Sequence, residues 1–123
     1  MTKILIVDDD ILVTNLLGKV LSGEGYETIA VNDSTKAVEV AALVRPDLVI
    51  LDLMMPQPDG FKVCRTLRED PIFMSTPILI VTALDDSDSR IVAFGAGATD
   101  YLTKPFNVAE LVSITKALIH ESM

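Results

Sequence analysis

The sequence predicts an α/β fold in which a mainly parallel sheet carries helices on both faces, and three observations support it. Apolar, β-branched runs alternate with helix-period segments five times from one end to the other. The runs are nearly continuous in hydrophobicity, as strands covered on both faces are, and clusters of glycine, proline and aspartate punctuate them. Because crossovers between parallel strands are right-handed, such alternation lays the strands side by side in one sheet. With 123 residues, half of them hydrophobic and 23% charged, the chain suits one domain spanning 1–123 around one core.

Each element has its own signal. The first strand is Lys3-Ile4-Leu5-Ile6-Val7-Asp8, and Asp8-Asp9-Asp10 ends it. A helix follows from Ile11 to about Ser22, with Val13, Leu16, Leu17, Val20 and Leu21 as its apolar stripe and Gly23 and Gly25 as its stop. Tyr26 to Val31 reads as the second strand, Asn32 or Ser34 as an N-cap, and Ala37, Val38, Ala41 and Val44 as a second helix that Pro46 terminates. The third strand, Asp47-Leu48-Val49-Ile50-Leu51-Asp52, is apolar between two carboxylates. Turn formers from Met54 to Gly60 lead into a helix from Phe61 to about Glu69, facing inward through Val63, Cys64 and Leu67. Pro77 to Thr82 is the fourth strand, Ser87 to Phe94 the fourth helix and Thr99 to Leu102 a short fifth strand, with breaks at Gly95 and Gly97. From Asn107 onward, Val108, Leu111, Val112, Thr115, Leu118 and Ile119 keep the spacing of a closing amphipathic helix.

Charge and composition exclude several functions. Eighteen acidic against ten basic residues leave a net charge of −8, a field that repels nucleic-acid phosphates and anionic lipid headgroups, so these residues are not expected to bind DNA directly. The single Cys64 has no intrachain disulfide partner, the chain opens without a basic and then apolar leader, and no apolar run approaches the ~18 residues of a membrane span. A reducing, cytoplasmic setting without membrane contact fits. Cys64 reads as a small core residue, because nothing beside it would lower its pKa, and His120 as a solvent-facing one.

Functional groups in open parallel sheets collect at the carboxyl ends of the strands, near the point where strand order reverses. Those ends offer Asp8 and Asp9 after the first strand, Asp52 at the third, Thr82 at the fourth and Lys104-Pro105 past the fifth. The second ends in Val31-Asn32, which offers nothing comparable. Three carboxylates converging on one crevice repel one another unless a cation sits among them. An all-oxygen set without His or Cys suits Mg²⁺, or Mn²⁺ as a surrogate, better than Zn²⁺. Beside such an ion Asp52 could attack phosphorus in line to form an acyl phosphate, with Lys104 neutralising oxygen charge and Thr82 donating a hydrogen bond. Singly, Asp9 or Asp10 is an ordinary N-cap, and Thr82 and Lys104 are ordinary surface residues. Together at one sheet edge they form a phosphoryl-transfer constellation.

The stretches ILIVDDD, DLVILDLMMPQPDG, PILIVTA and GATDYLTKPF resemble, in order and spacing, the motifs of the receiver domain of two-component response regulators, over essentially the whole chain. The resemblance implies a flavodoxin-like (βα)5 doubly wound fold with strand order 2-1-3-4-5. It places the phosphoacceptor on Asp52, the metal-binding acidic pair on Asp8 and Asp9, and a metal-ligating backbone carbonyl on Met54. It places the switch hydroxyl on Thr82, a phosphate-binding backbone N–H on Ala83, the switch aromatic on Tyr101 and the phosphate-binding lysine on Lys104, whose bond to Pro105 is usually cis in the family. The partner implied is a sensor histidine kinase or a histidine phosphotransfer protein, with a downstream protein or effector domain reading the surface of helix 4, strand 5 and helix 5. The resemblance therefore implies a switch that assists its own phosphotransfer, not a turnover enzyme.

Some residues depart from the family's pattern. Gln57-Pro58 stands where a glycine and an apolar residue are common, and the last helix has Lys116 but no Arg, so symmetric pairing across that face is not expected. Met54 and Leu84, each two residues past a site residue, are apolar and are expected to limit water's approach and lengthen the life of a phosphoryl group. Other readings meet specific obstacles. A flavodoxin-type phosphate loop would not carry three aspartates after the first strand, and Gly95-Ala96-Gly97-Ala98 precedes a strand instead of following one. A haloacid-dehalogenase-like phosphatase would place its nucleophile on the first strand. A receiver-like interaction module that is never phosphorylated remains the alternative, against which the intact set of site groups argues.

Overall fold

In the computed structural model, which describes residues 1–122, five parallel strands stand in the order β2-β1-β3-β4-β5. The strands are β1 (Lys3–Val7), β2 (Glu27–Val31), β3 (Leu48–Leu51), β4 (Ile78–Thr82) and β5 (Asp100–Thr103); the helices are α1 (Ile11–Gly23), α2 (Ala37–Val44), α3 (Gly60–Glu69), α4 (Ser87–Gly95) and α5 (Val108–Glu121). This is the flavodoxin-like doubly wound arrangement. Among the described residues no helix is long and apolar enough to cross a membrane.

Side chains of a strand point alternately to the two faces, and the core divides accordingly. Leu5, Val7, Val49, Leu51, Ile78 and Ile80 pack with Ala37 and Ala41 of α2, Val63 and Leu67 of α3 and Ala93 of α4. Ile4, Ile6, Leu48, Ile50, Leu79 and Val81 pack on the opposite face with Leu17 and Leu21 of α1 and Leu111, Leu118 and Ile119 of α5. Strand β3, Leu48-Val49-Ile50-Leu51, is apolar at every position because both of its faces are covered. Cys64 lies in the first of these cores, where burial pushes its thiol above the usual range, and His120 is exposed.

Element boundaries differ from the sequence reading where side chains find competing partners. The cap before α2 is neither Asn32 nor Ser34. Asp33 accepts the Thr35 amide at 3.0 Å and starts a 3-10 turn over Ser34–Lys36 that runs into α2, while the Ser34 hydroxyl donates to the Pro56 carbonyl at 2.9 Å. Strand β4 begins at Ile78, because Pro77 has no amide for the ladder. Strand β5 begins at Asp100, since the Thr99 hydroxyl instead accepts the Ile78 amide at 3.0 Å. Leu16 of the α1 stripe is exposed. A 3-10 turn over Pro71–Phe73 went unpredicted, yet it buries Phe73 fully.

Arg68, at the end of α3, fastens the foot of the molecule. Its Nε donates to the Gly97 carbonyl at 2.8 Å and its Nη1 to the carbonyls of Phe73 and Thr76, each at 2.6 Å. Gly97 has φ +112°, and a Cβ there would lie 2.3 Å from the Arg68 side chain, so the α4–β5 connection requires glycine twice over.

Candidate functional site

The strand register brings two carboxylates together through the backbone alone. Val7 of β1 is level with Leu51 of β3, and the ladder continues one residue beyond each strand. The Asp8 amide donates to the Val31 carbonyl at 3.1 Å and the Asp52 amide to the Val7 carbonyl at 3.0 Å. Asp8 and Asp52 therefore leave adjacent strands side by side, only 3% and 6% exposed above the apolar sheet. Asp9 follows at the exposed rim, and one carboxylate oxygen from each of Asp8, Asp9 and Asp52 lies within 4.8 Å of the others.

Lys104 enters from the end of β5. Its Nζ donates to Asp8 Oδ2 at 2.8 Å and to Asp52 Oδ2 at 3.3 Å, and its amide donates to the Thr82 carbonyl at 2.7 Å. The bonds Lys104-Pro105 and Gln57-Pro58 are both cis; the first was expected, the second was not. Burial raises the Asp8 carboxyl above its ordinary value and the Asp52 charge adds to this, against the Lys104 ammonium and the Asp10 amide. For Lys104 burial works downward, but the two carboxylates outweigh it and hold the ammonium above its ordinary value. Three carboxylates facing one ammonium leave two negative charges uncompensated. A hard divalent cation fits such an all-oxygen cluster in both charge and donor type.

Three contacts support the site, two of them from residues, Asn32 and Gly60, that were not visible as site residues in the sequence. Asn32, at the one strand end expected to offer nothing comparable, donates through Nδ2 to the Asp8 carbonyl at 2.9 Å and to Thr14 Oγ1 at 3.0 Å, bracing the end of β1 from β2 and α1. The Met54 amide donates to Asp52 Oδ1 at 3.2 Å. Gly60, capped into α3 by Asp59, packs so closely on the strand end that a Cβ there would lie 2.0 Å from the Asp52 carbonyl oxygen. Asn32 had a sequence signal in its place after β2; Gly60 had one only as a turn former.

The remaining predicted residues form a second group beside the first. Thr82 is fully buried, and its hydroxyl accepts a long 3.5 Å bond from the Leu84 amide, while Ala83 is exposed at the end of β4. Tyr101 is buried, with its hydroxyl donating to the Leu84 carbonyl at 2.6 Å. The Arg90 guanidinium lies 4.5 Å from its ring centroid and the Phe94 ring 6.3 Å away. Burial lifts the Tyr101 phenol above its usual value, with Arg90 pulling the other way. So Lys104 meets Asp8 and Asp52 directly, and Asp9 adds its carboxylate at the rim of the same cluster. Thr82 joins them through the Lys104 backbone, and Tyr101 joins Thr82 through Leu84.

A family model described as response regulator receiver domain matches residues 4–116. The DNA-binding dual master transcriptional regulator RpaA of Synechocystis sp. is 41% identical over 99% of this chain and 51% of its own length. The DNA-binding response regulator MtrA of Mycobacterium tuberculosis is 41% identical over 98% of this chain and likewise 51% of its own length. The chain thus spans about half the length of these curated relatives. The structure of Vibrio cholerae chemotaxis protein CheY4 superposes with a TM-score of 0.91 at 31% identity, covering 96% of this chain and 98% of that one. Strand order, carboxylate register and relatives agree, and the chain belongs to the response regulator receiver domains, the phosphoacceptor modules of two-component signal transduction.

Proposed function

We propose that Asp52 is the residue on which this receiver accepts its phosphoryl group, from the phosphohistidine of a sensor histidine kinase or a histidine phosphotransfer protein. The observation that carries the reading is the Lys104 ammonium held between Asp8 and Asp52. An Asp52 carboxylate oxygen attacks phosphorus in line, the phosphorus–nitrogen bond breaks, and the imidazole leaves. Lys104 then exchanges carboxylate partners for phosphoryl oxygens, the Thr82 hydroxyl and the Ala83 N–H donate to the same group, and the Leu84 segment follows Thr82.

Asp8, Asp9, Asp52 and the Met54 backbone carbonyl are the residues we assign to hold Mg²⁺, or Mn²⁺ in its place. The bound ion would supply neutralisation of the charge that gathers on the phosphoryl oxygens. Exposed Ile11 and Leu12, at the start of α1 directly beyond Asp8-Asp9-Asp10, continue the site as an apolar rim on which the phosphodonor would rest. A cytoplasmic location and a downstream partner reading α4, β5 and α5 complete the reading. The DNA binding named for RpaA and MtrA is not assigned to these residues, whose net charge is −8.

Incubation with Mg²⁺ and acetyl phosphate is expected to add ~80 Da to the protein, the mass of one phosphoryl group. The gain is expected to vanish in Asp52→Asn and in the presence of a chelator. No gain in the wild-type protein would turn the reading toward an interaction module that is never phosphorylated.

A further inference from the structure

We infer that Arg90 is the positioning residue of the switch, the group that holds the Tyr101 ring in its buried seat and ties it to the strand that carries Lys104. The inference rests on the function proposed above and adds to it a residue that no motif of the sequence marks. Tyr101 stands on β5, at the edge of the sheet, where an aromatic ring ordinarily has the choice of lying outward. Here it is only 6% exposed. Its seat is closed by three groups from two elements. The Leu84 carbonyl of the β4–α4 loop accepts the hydroxyl, Phe94 of α4 packs at a tilt of 38°, and the Arg90 guanidinium covers the ring face.

Arg90 itself is not free to swing. Its Nη2 donates to Thr103 Oγ1 at 3.0 Å, so one planar group bridges α4 to β5 and lies over the ring between them. Thr103 immediately precedes Lys104 and is level with Thr82 in the ladder. One step therefore separates the clamp from the ammonium of the site on one side and from the switch hydroxyl on the other. A guanidinium suits this place better than an ammonium, because a flat fork can stack on an aromatic face while its edge keeps a hydrogen bond. The consequence for the switch is a bias. With the ring already held inward by the protein's own groups, the rearrangement left to phosphorylation falls on Thr82 and on the Leu84 segment, so Tyr101 departs from the moving switch aromatic that the family resemblance implies and keeps its place in both forms.

The test places 3-fluorotyrosine in a Tyr26→Phe background, which leaves Tyr101 as the labelled tyrosine of the two in the chain. Fluorine NMR with a soluble paramagnetic quencher then reads exposure of the ring, with and without Mg²⁺ and acetyl phosphate. Tyr101 is expected to resist quenching in both conditions. Arg90→Met is expected to raise the exposed population about two- to five-fold, the range of a partly exposed cation–π contact. Thr103→Val, which removes only the anchor of the guanidinium, should produce a smaller rise, and Arg90→Lys should restore part of the protection. Ready quenching in the wild-type protein before phosphorylation would overturn the inference, as would unchanged protection in both Arg90→Met and Thr103→Val. The mass gain measured on the same samples reports the function separately. A normal adduct with an indifferent Arg90 sinks the clamp alone, whereas a missing wild-type adduct sinks the phosphoacceptor reading and leaves the ring measurement to stand on its own.

Discussion

Replacing Lys104 by methionine would leave Asp8 and Asp52 facing each other with no cation between them. Adduct formation from acetyl phosphate is expected to slow by about 10²-fold or more, measured as an initial rate by mass, because one preorganised charge on the phosphoryl oxygens is gone. A stability signature should accompany this. The Asp8 carboxyl, already raised by burial and by Asp52, would rise further without the Lys104 hydrogen bond. For a carboxyl raised in the folded state, its contribution to stability is complete below the unfolded value of about 3.9 and is lost as pH climbs through the folded value. Denaturant unfolding of Lys104→Met should therefore match wild type most closely in acid and fall away from it toward neutral pH. At Met54 and Leu84 we propose that apolar side chains shield the phosphoryl group. Met54→Asn with Leu84→Glu is expected to shorten the adduct's half-life several-fold, and an unchanged decay rate would remove that assignment. The main site residues were legible because chemistry singles them out; a carboxylate closing a run as apolar as Leu48–Leu51 demands a reason. Asn32 was not, since its role lies in donating to a backbone carbonyl that only the folded ladder brings within reach.

Helix ends and close approaches decide how accurately the elements deliver those residues. Asn107 caps α5 by accepting the amides of Ala109 and Glu110 at 2.8 and 3.2 Å. Asn107→Ala is expected to cost about 1 kcal/mol in chemical denaturation. Gly60→Ala should be far worse, on the order of 3 kcal/mol or more, because the added methyl would meet the backbone of Asp52 and Leu53 and neither can yield without moving the site. The same variant should slow adduct formation even where it remains folded. These elements show how far pattern reaches. Helix and strand identity followed from periodicity, whereas Gly60, the Asp33 cap and the turn over Pro71–Phe73 depended on what lay opposite in space. Arg68 makes the same point, since its partners at residues 73 and 76 lie in the α3–β4 connection and the one at residue 97 in the α4–β5 connection.

For the molecule as a whole, alternation alone predicted a parallel sheet, and the resemblance supplied the strand order; nothing in periodicity distinguishes 2-1-3-4-5 from other orders with right-handed crossovers. That order makes β1 and β3 neighbours and so creates the carboxylate pair. A ligand bound only by the folded state stabilises it, so Mg²⁺ at ten times its dissociation constant is expected to add about 1.4 kcal/mol, or roughly 4–7 °C in the unfolding midpoint. Asp9→Ala should erase this increment, with little effect on the metal-free midpoint, because Asp9 is exposed. The caps have a consequence for traffic toward the site. Asp10, Asp33, Asp59 and Asp86 each begin the helical segment that follows a strand, so with Asp8, Asp9 and Asp52 they ring a single edge of the sheet with negative charge. An anionic small molecule must climb that potential, whereas a protein donor with basic residues around its histidine would descend it. Ionic strength should therefore act in opposite directions on the two routes, speeding phosphorylation by acetyl phosphate and slowing phosphorylation by the cognate protein.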